Sequence, residues 1–196
     1  MRRQLPLPLP PRSALGRADF VVGPANAAAL AGVEGWADWP DGRLLLTGPE
    51  GAGKTHLARV WQALRPGTDW TTGAMLKADE VPALAAAGAV VDDAGGAAGD
   101  AAAEQALFHL LNLCKAEAAP VLIVARTPPR DWGLGLPDLA SRLTATTALR
   151  LEAPDDALLA AVLGKHFADR QVAVAPEVLA WLVVRIERSL SAAAQV

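Results

Sequence analysis

Gly48-Pro49-Glu50-Gly51-Ala52-Gly53-Lys54-Thr55 is an eight-residue stretch whose types and spacing suit phosphate chemistry. The pattern is G-x-x-x-x-G-K-[ST]. Its glycines let backbone N–H groups turn inward and approach phosphate oxygens closely. Lys54 brings a point charge for the β- and γ-phosphates, and Thr55 brings a hydroxyl for Mg²⁺. The helix opening there adds its positive dipole end. A Gly-rich turn that binds nothing is the bland alternative, and a strand before and a helix after the loop speak against it. The candidate nucleotide contacts are Gly48, Glu50, Gly51, Ala52, Gly53, Lys54, Thr55 and the adjoining His56.

A second acidic element fits the first. Ala89-Val90-Val91-Asp92-Asp93 reads as a hydrophobic strand ending in two carboxylates. In P-loop NTPases an acid at that place helps hold Mg²⁺, so Thr55 and Asp92 form the candidate metal site. Asp93 would then face the water that attacks the γ-phosphate, which makes it a candidate catalytic residue. Aspartate reaches one methylene less far than the glutamate common in strong ATPases, so intrinsic turnover is expected to be slow or absent. A solvated strand end is the bland alternative, the weaker reading even by itself, and the glycine loop weakens it further.

These groups need a scaffold that brings two strand ends together. Apolar runs over 43–47, 89–91, 120–125 and 147–151 read as buried parallel strands, with a further short strand over 68–72. Helices are expected from the 23–26 turn to Trp39, over 54–64, over 80–87 and over 104–117. In the last of these Leu107, Leu110, Leu111 and Cys114 share one face. The stretch 94–100 and the Pro- and Gly-bearing stretch 126–137 read as loops, the latter exposed. Strands alternating with helices imply an α/β fold, a parallel sheet flanked by helices. Two further helices, over 155–168 and 176–190, have no strand to return to and read as a small C-terminal helical lid. The expected division is an extended tail over 1–19, a nucleotide-binding α/β domain over 20–152 and the lid over 153–196.

Composition narrows the function classes. The chain has 196 residues, 52% of them hydrophobic, enough for one well-packed core. A net charge of −3 gives no basic excess that would announce nucleic acid, so direct sequence-specific DNA binding is not expected. No run of 18 apolar residues suggests a membrane span. Prolines at 6, 8, 10 and 11 rule out the helical core of a signal peptide after Met1-Arg2-Arg3. The single cysteine, Cys114, cannot form an internal disulfide, reads as a small core residue, and fits a reducing, cytoplasmic setting.

The order of the segments over roughly 20–190 resembles the DnaA family of AAA+ P-loop NTPases. Phe20-Val21-Val22-Gly23-Pro24-Ala25-Asn26 is similar to that family's adenine-binding box, which implies nucleotide contacts for Val22 and Asn26. Gly53-Lys54-Thr55-His56-Leu57 is similar to its G-K-T-H-L string, and within that string His56 gains significance. Asp138-Leu139-Ala140-Ser141-Arg142-Leu143 resembles the segment carrying the arginine finger, which makes Arg142 a candidate catalytic residue for a neighbouring subunit's nucleotide. Alone, Arg142 would read as a surface helix charge. Val184-Arg185-Ile186-Glu187-Arg188-Ser189 resembles the lid segment with the sensor-2 arginine, and the resemblance assigns that role to Arg185. One position departs from the pattern. In Ala125-Arg126-Thr127-Pro128-Pro129 the acidic sensor-1 position is taken by Arg126, which puts ordinary γ-phosphate sensing in doubt and favours ADP over ATP as the resident cofactor.

Two absences point to a particular branch of the family. The P-loop begins at residue 48, leaving no room for a long N-terminal domain. The chain stops at Val196, just inside the lid, before any helix-turn-helix domain. The tail adds a partner motif, since Gln4-Leu5-Pro6-Leu7-Pro8-Leu9 is similar to peptides that dock on the bacterial sliding clamp, the β subunit of DNA polymerase III. Gln4 can bond a backbone edge and Leu5, Leu7 and Leu9 can fill apolar pockets, while the prolines keep the segment extended and reduce the entropy lost on docking. The resemblance therefore implies a regulator that binds ADP or ATP with Mg²⁺, attaches to the clamp, and stimulates ATP hydrolysis on DnaA. Homo-oligomerisation stays open. Two other readings also remain: an autonomous ATPase such as a helicase loader, and a small-molecule kinase, for which no acceptor-site string stands out.

Overall fold

The computed structural model describes residues 15–196, so the tail motif of Gln4, Leu5, Leu7 and Leu9 lies outside the described residues. Five strands form one parallel sheet: β1 (Arg43–Thr47), β2 (Asp69–Thr72), β3 (Ala89–Asp92), β4 (Val121–Val124) and β5 (Ala148–Arg150). Their spatial order is β2-β3-β4-β1-β5. The α-helices of the described residues are α1 (Ala27–Glu34), α2 (Lys54–Leu64), α3 (Val81–Ala87), α4 (Ala101–Ala116), α5 (Pro137–Thr144), α6 (Asp156–Asp169), α7 (Pro176–Val183) and α8 (Leu190–Ala194).

The sheet is covered on both faces because its central strands carry continuous apolar runs, Leu44–Leu46, Ala89–Val91 and Val121–Val124. The two-residue period sends Leu44 and Leu46 of β1, Val90 of β3, and Leu122 and Val124 of β4 toward α1 and α2. Leu45, Val91, Val121 and Ile123 go to the opposite face, against α3, α4 and α5. There α4 presents Leu107, Leu110, Leu111 and Cys114, all buried, as its periodicity required. Burial pushes the Cys114 thiol up to about 12, so it behaves as a small apolar residue. The helices α6, α7 and α8 surround a separate cluster of Leu158, Leu159, Val162, Leu163, Val183 and Ala193. No helix among the described residues is long and apolar enough to cross a membrane.

Several elements differ from the sequence expectation, each for a local reason. The first helix stops at Glu34 rather than Trp39, because the chain breaks at Gly35 into a short 3-10 turn. Helix α4 starts three residues before Glu104, since the Asp100 side chain accepts from Ala102 N and Ala103 N. The loop after β4 is not simply exposed: Pro129 is buried, and Trp132, Leu134 and Leu136 pack against the α4 face. The helix expected over 176–190 ends at Val183. A new helix opens at Leu190, where the Ser189 hydroxyl caps Ala192 N at 3.0 Å.

One buried carboxylate holds the α4–α5 region together. Glu104 is 3% exposed and accepts backbone N–H bonds from Gly99 at 3.1 Å, Gly135 at 3.0 Å and Leu136 at 2.7 Å. Burial alone would raise its pKa, but the three donors more than offset that and hold the carboxyl below its ordinary value of 4.5. Its stabilising contribution is therefore fully present above the ordinary value and is lost as pH falls through the lowered folded value. Glu104→Ala leaves three donors without their acceptor and is expected to cost about 3 kcal/mol. Urea melts at pH 7 and pH 3 check this. The gap between wild type and Glu104→Ala should narrow at pH 3, and a gap that stays constant would show that the ionised carboxylate is not the source.

Candidate functional site

The strand order decides where the site must be. Strand β1 feeds the Gly48–Thr55 loop and β3 ends at Asp92, with β4 between them. The C-terminal ends of three parallel strands therefore open onto one place, where α2 also begins. A cleft of about 890 Å³ lies there, bounded on the far side by α6 and α8.

In the phosphate loop Gly51 (φ +70°) and Gly53 (φ +96°) adopt left-handed backbone, which side chains disfavour. A side chain at Gly51 would also collide with the Ser189 Cβ, 2.2 Å from where its own Cβ would lie. Lys54 Nζ donates to the carbonyls of Gly48 at 2.8 Å and Pro49 at 2.7 Å, which keeps the ammonium folded over the loop. Burial, and then the nearby Arg126 charge, lower the Lys54 pKa from its ordinary value. The Thr55 hydroxyl donates to Asp92 Oδ2 at 3.1 Å. A threonine hydroxyl beside an aspartate oxygen is a hard, oxygen-only pair, and it fits Mg²⁺ chemistry. Asp93, exposed and in left-handed backbone at φ +44°, also lines the cleft. Asp92 Oδ1 accepts from the Asp93 N–H at 2.9 Å, which fixes how the two carboxylates diverge.

Of the residues expected from sequence, Glu50, Gly51, Gly53, Lys54, Thr55, His56, Asp92 and Asp93 line this one cleft. Gly48 and Ala52 belong to the loop but are buried beneath it, and Ala52 packs into the α1–α2 side of the core. His56 lies at the other end of the cleft, edge-on to the Phe20 ring at 5.2 Å and with Nε2 3.2 Å from the Gly16 carbonyl; burial lowers its pKa.

Three expected contacts fall elsewhere. Val22 is 47% exposed and outside the cleft, and its neighbour Val21 faces in. Asn26 is buried and acts at one remove: its side chain accepts from Gly23 N and donates to the Val21 carbonyl, both at 2.9 Å, which fixes the turn that presents Phe20 and Val21. Arg185 turns back along α7, donating to the Trp181 carbonyl at 3.1 Å with its guanidinium 4.1 Å from the Trp181 ring centroid. Arg188 lies three residues further along the lid. It immediately precedes Ser189, whose own neighbour Leu190 donates its N–H to the Gly51 carbonyl at 2.7 Å. Arg188 pairs with Asp156 at 2.8 Å.

Sequence reasoning missed the lid-side wall. Val162, Lys165, His166 and Asp169 of α6 and its C-cap Arg170 line the cleft, as do Leu190, Ser191 and Ala194 of α8. The α6 spacing of i, i+3, i+4, i+7 and i+8 is a single helix face and was readable once α6 was placed beside the loop. Lys165 ties that wall to the segment before Phe20, bridging Asp19 at 3.0 Å and Asp169 at 2.8 Å.

Arg142 does not line its own chain's cleft. It projects from α5 toward α4, bonding the Asn112 side chain and lying 5.0 Å from the Phe108 ring centroid. Helix α5 is pinned at its start by the Glu104 bonds to Gly135 and Leu136.

The parallel five-stranded sheet, its strand order and the loop at the end of β1 define a P-loop NTPase fold of the AAA+ type. In sequence and fold the chain is similar to the AAA+ domain of DnaA. Its sequence is 30% identical to the chromosomal replication initiator protein DnaA of Caulobacter vibrioides over 199 aligned residues, covering 87% of this chain and 41% of that protein. The chain thus spans about two-fifths of the length of this relative. Domain III of the Thermotoga maritima replication initiation protein DnaA superposes with a TM-score of 0.78 at 20% identity, covering 94% of this chain and 86% of that one. AMPPCP-bound DnaA from Aquifex aeolicus gives 0.72 at 16% identity, covering 86% and 59%. No protein-family profile matches the chain.

Proposed function

We propose that this protein binds ADP or ATP with Mg²⁺ and regulates replication initiation in the manner of Hda, the DnaA homologue without a DNA-binding domain. It docks on the sliding clamp through Gln4, Leu5, Leu7 and Leu9 and stimulates ATP hydrolysis on DnaA. The observation that carries the reading is the division of labour between two sites on a DnaA-like core. Lys54, Thr55 and Asp92 gather at one cleft, while Arg142 stands outside it on a separately braced helix. An arginine that cannot serve its own nucleotide is free to serve a neighbour's.

The base and sugar have an apolar slot among Phe20, Val21, Val162 and Leu190, with His56 and His166 at its edge. Lys54 and the loop N–H groups take the phosphates, and Mg²⁺ held by Thr55 and Asp92 would neutralise charge across them. Asp93 would orient a water, but its short reach leaves the chain a weak catalyst by itself. In trans, the Arg142 guanidinium neutralises charge developing on the partner's γ-phosphate, an effect worth several orders of magnitude in rate.

The test of the assembly is a pull-down on the sliding clamp, comparing the intact chain with one lacking residues 2–9. Capture of the intact chain and loss of the shortened one are expected. Equal capture of both would remove the tail from the mechanism. Turnover by the chain alone that rises with single-stranded DNA would favour the helicase-loader reading instead.

A further inference from the structure

We propose that the outer face of α7 is a docking surface for a second copy of this chain, packed antiparallel across a two-fold axis at Trp181. The pairing is independent of what the cleft binds.

Helix α7 is apolar on two sides. Leu179, Leu182 and Val183 face inward and join the lid cluster. Val178, Trp181 and Val184 face outward and are 47%, 56% and 71% exposed. A helix that is apolar all round is normally covered all round, so an exposed face of this kind marks a contact. The turn continues past the end of the helix. Arg185 N and Ile186 N both donate to the Leu182 carbonyl, so Val184 and Arg185 stay in step with α7.

The order of residues on this face names the occupant. Glu177 lies four residues before Trp181 and Arg185 four residues after it, while Val178 and Val184 lie three before and three after. At 3.6 residues per turn all five fall within an arc of about 120°. Along the helix the face reads negative, apolar, tryptophan, apolar, positive. Two copies laid antiparallel, Trp181 on Trp181, bring each Val178 to the other's Val184 and each Glu177 to the other's Arg185. That is the self-complementarity an isologous contact requires, and a foreign partner would not need it. Glu177 and Arg185 are exposed, and among the described residues neither pairs with an opposite charge. The Trp181 carbonyl takes one Arg185 donor at 3.1 Å and the Trp181 ring lies under the guanidinium, which leaves other donors for a glutamate. None of the five residues lines the cleft, and Arg142 stands on α5, so the pairing covers neither. An eight-residue helix is about 12 Å long, and its face falls short of the roughly 1,200 Å² of stable interfaces. The dimer is therefore weak and reversible, with a dissociation constant of about 10–100 μM.

Sedimentation velocity on the full chain from about 1 μM to about 1 mM tests this. Wild type should pass from monomer to dimer across that range. Trp181→Ala should weaken the dimer about tenfold or more. Glu177→Arg and Arg185→Glu each set like charges together at both ends of the contact, and each should weaken it about tenfold. All three are surface changes, and melting temperatures equal to that of wild type check that the fold is kept. An equimolar mixture of the two charge variants should recover the wild-type affinity, because every opposed pair then has opposite signs again. A monomer at the highest concentration, or a dimer that all three variants leave unchanged, would overturn the proposal. A mixture no tighter than either charge variant alone would overturn it too, since the antiparallel register would be wrong.

Discussion

Lys54→Ala should abolish measurable adenine-nucleotide binding, weakening it by at least about 100-fold, with little change in thermal stability. The magnitude follows from charge-assisted hydrogen bonds, each worth about 1.5–3 kcal/mol, of which the ammonium makes more than one with β- and γ-phosphate oxygens. The selectivity follows from what Lys54 does for the fold. Among the described residues its Nζ bonds only the loop carbonyls of Gly48 and Pro49, and water can replace it at both. Its lowered pKa adds a pH signature. The ammonium is the phosphate-binding form, and burial brings its loss of charge below the ordinary lysine value of 10.5. Affinity should therefore decline toward alkaline pH earlier than an exposed lysine would allow, and Lys54→Ala should lack that decline. Calorimetry with ADP across pH 7–10 measures both effects. Equal ADP affinity for wild type and Lys54→Ala would end the assignment of the loop as a nucleotide seat.

The sheet and the phosphate seat were legible because each follows from short-range chemistry. Buried parallel strands are continuous apolar runs, and a phosphate loop needs glycine, lysine and threonine at set offsets. Gly51, Lys54, Thr55, Asp92 and Asp93 could thus be named together although 37 residues separate Thr55 from Asp92. The lid was harder, because its residues act through tertiary placement rather than local pattern. Nothing in the spacing of Arg185 and Arg188 says which part of the lid meets the loop. That depends on Ser189 opening a new helix against Gly51, an event set by a close approach of two distant segments. Val22 and Asn26 lie off the cleft for a related reason. The alternation of an extended chain puts Val21 or Val22 inward with equal ease, and the Asn26 side chain, bonded to Val21 and Gly23, decides it. Glu104 was invisible as an anchor because its three partners are backbone groups of loops that carry no sequence signature for it.

Under the proposed function, Arg142→Ala should remove most of the stimulation of ATP hydrolysis on DnaA while leaving the proposed nucleotide and clamp binding unchanged. The separation is structural. Arg142 touches Asn112 and Phe108 on α4 and none of the residues lining the cleft, so its loss does not disturb Lys54, Thr55 or Asp92. Its guanidinium is half-buried and held by one side-chain bond and one aromatic face, which keeps it near a fixed direction without consuming all five of its donors. A trans finger needs both properties: it must be positioned before the partner arrives and still have donors for the γ-phosphate. Removing it takes away a charge partner present only in the transition state, so the loss should be in rate, by roughly 100-fold or more, rather than in assembly. Leu7→Ala should also reduce stimulation, but through weaker recruitment to the clamp, and high protein concentration should restore much of it. Arg142→Ala should show no such restoration. The measurement is the loss of radiolabelled ATP from DnaA over time, with DNA-loaded clamp, at two concentrations of each variant. If Arg142→Ala stimulates as well as wild type, the finger assignment is wrong and the protein acts as a tethered partner whose catalytic group lies elsewhere. If it fails at low concentration and recovers at high concentration, Arg142 serves docking rather than chemistry.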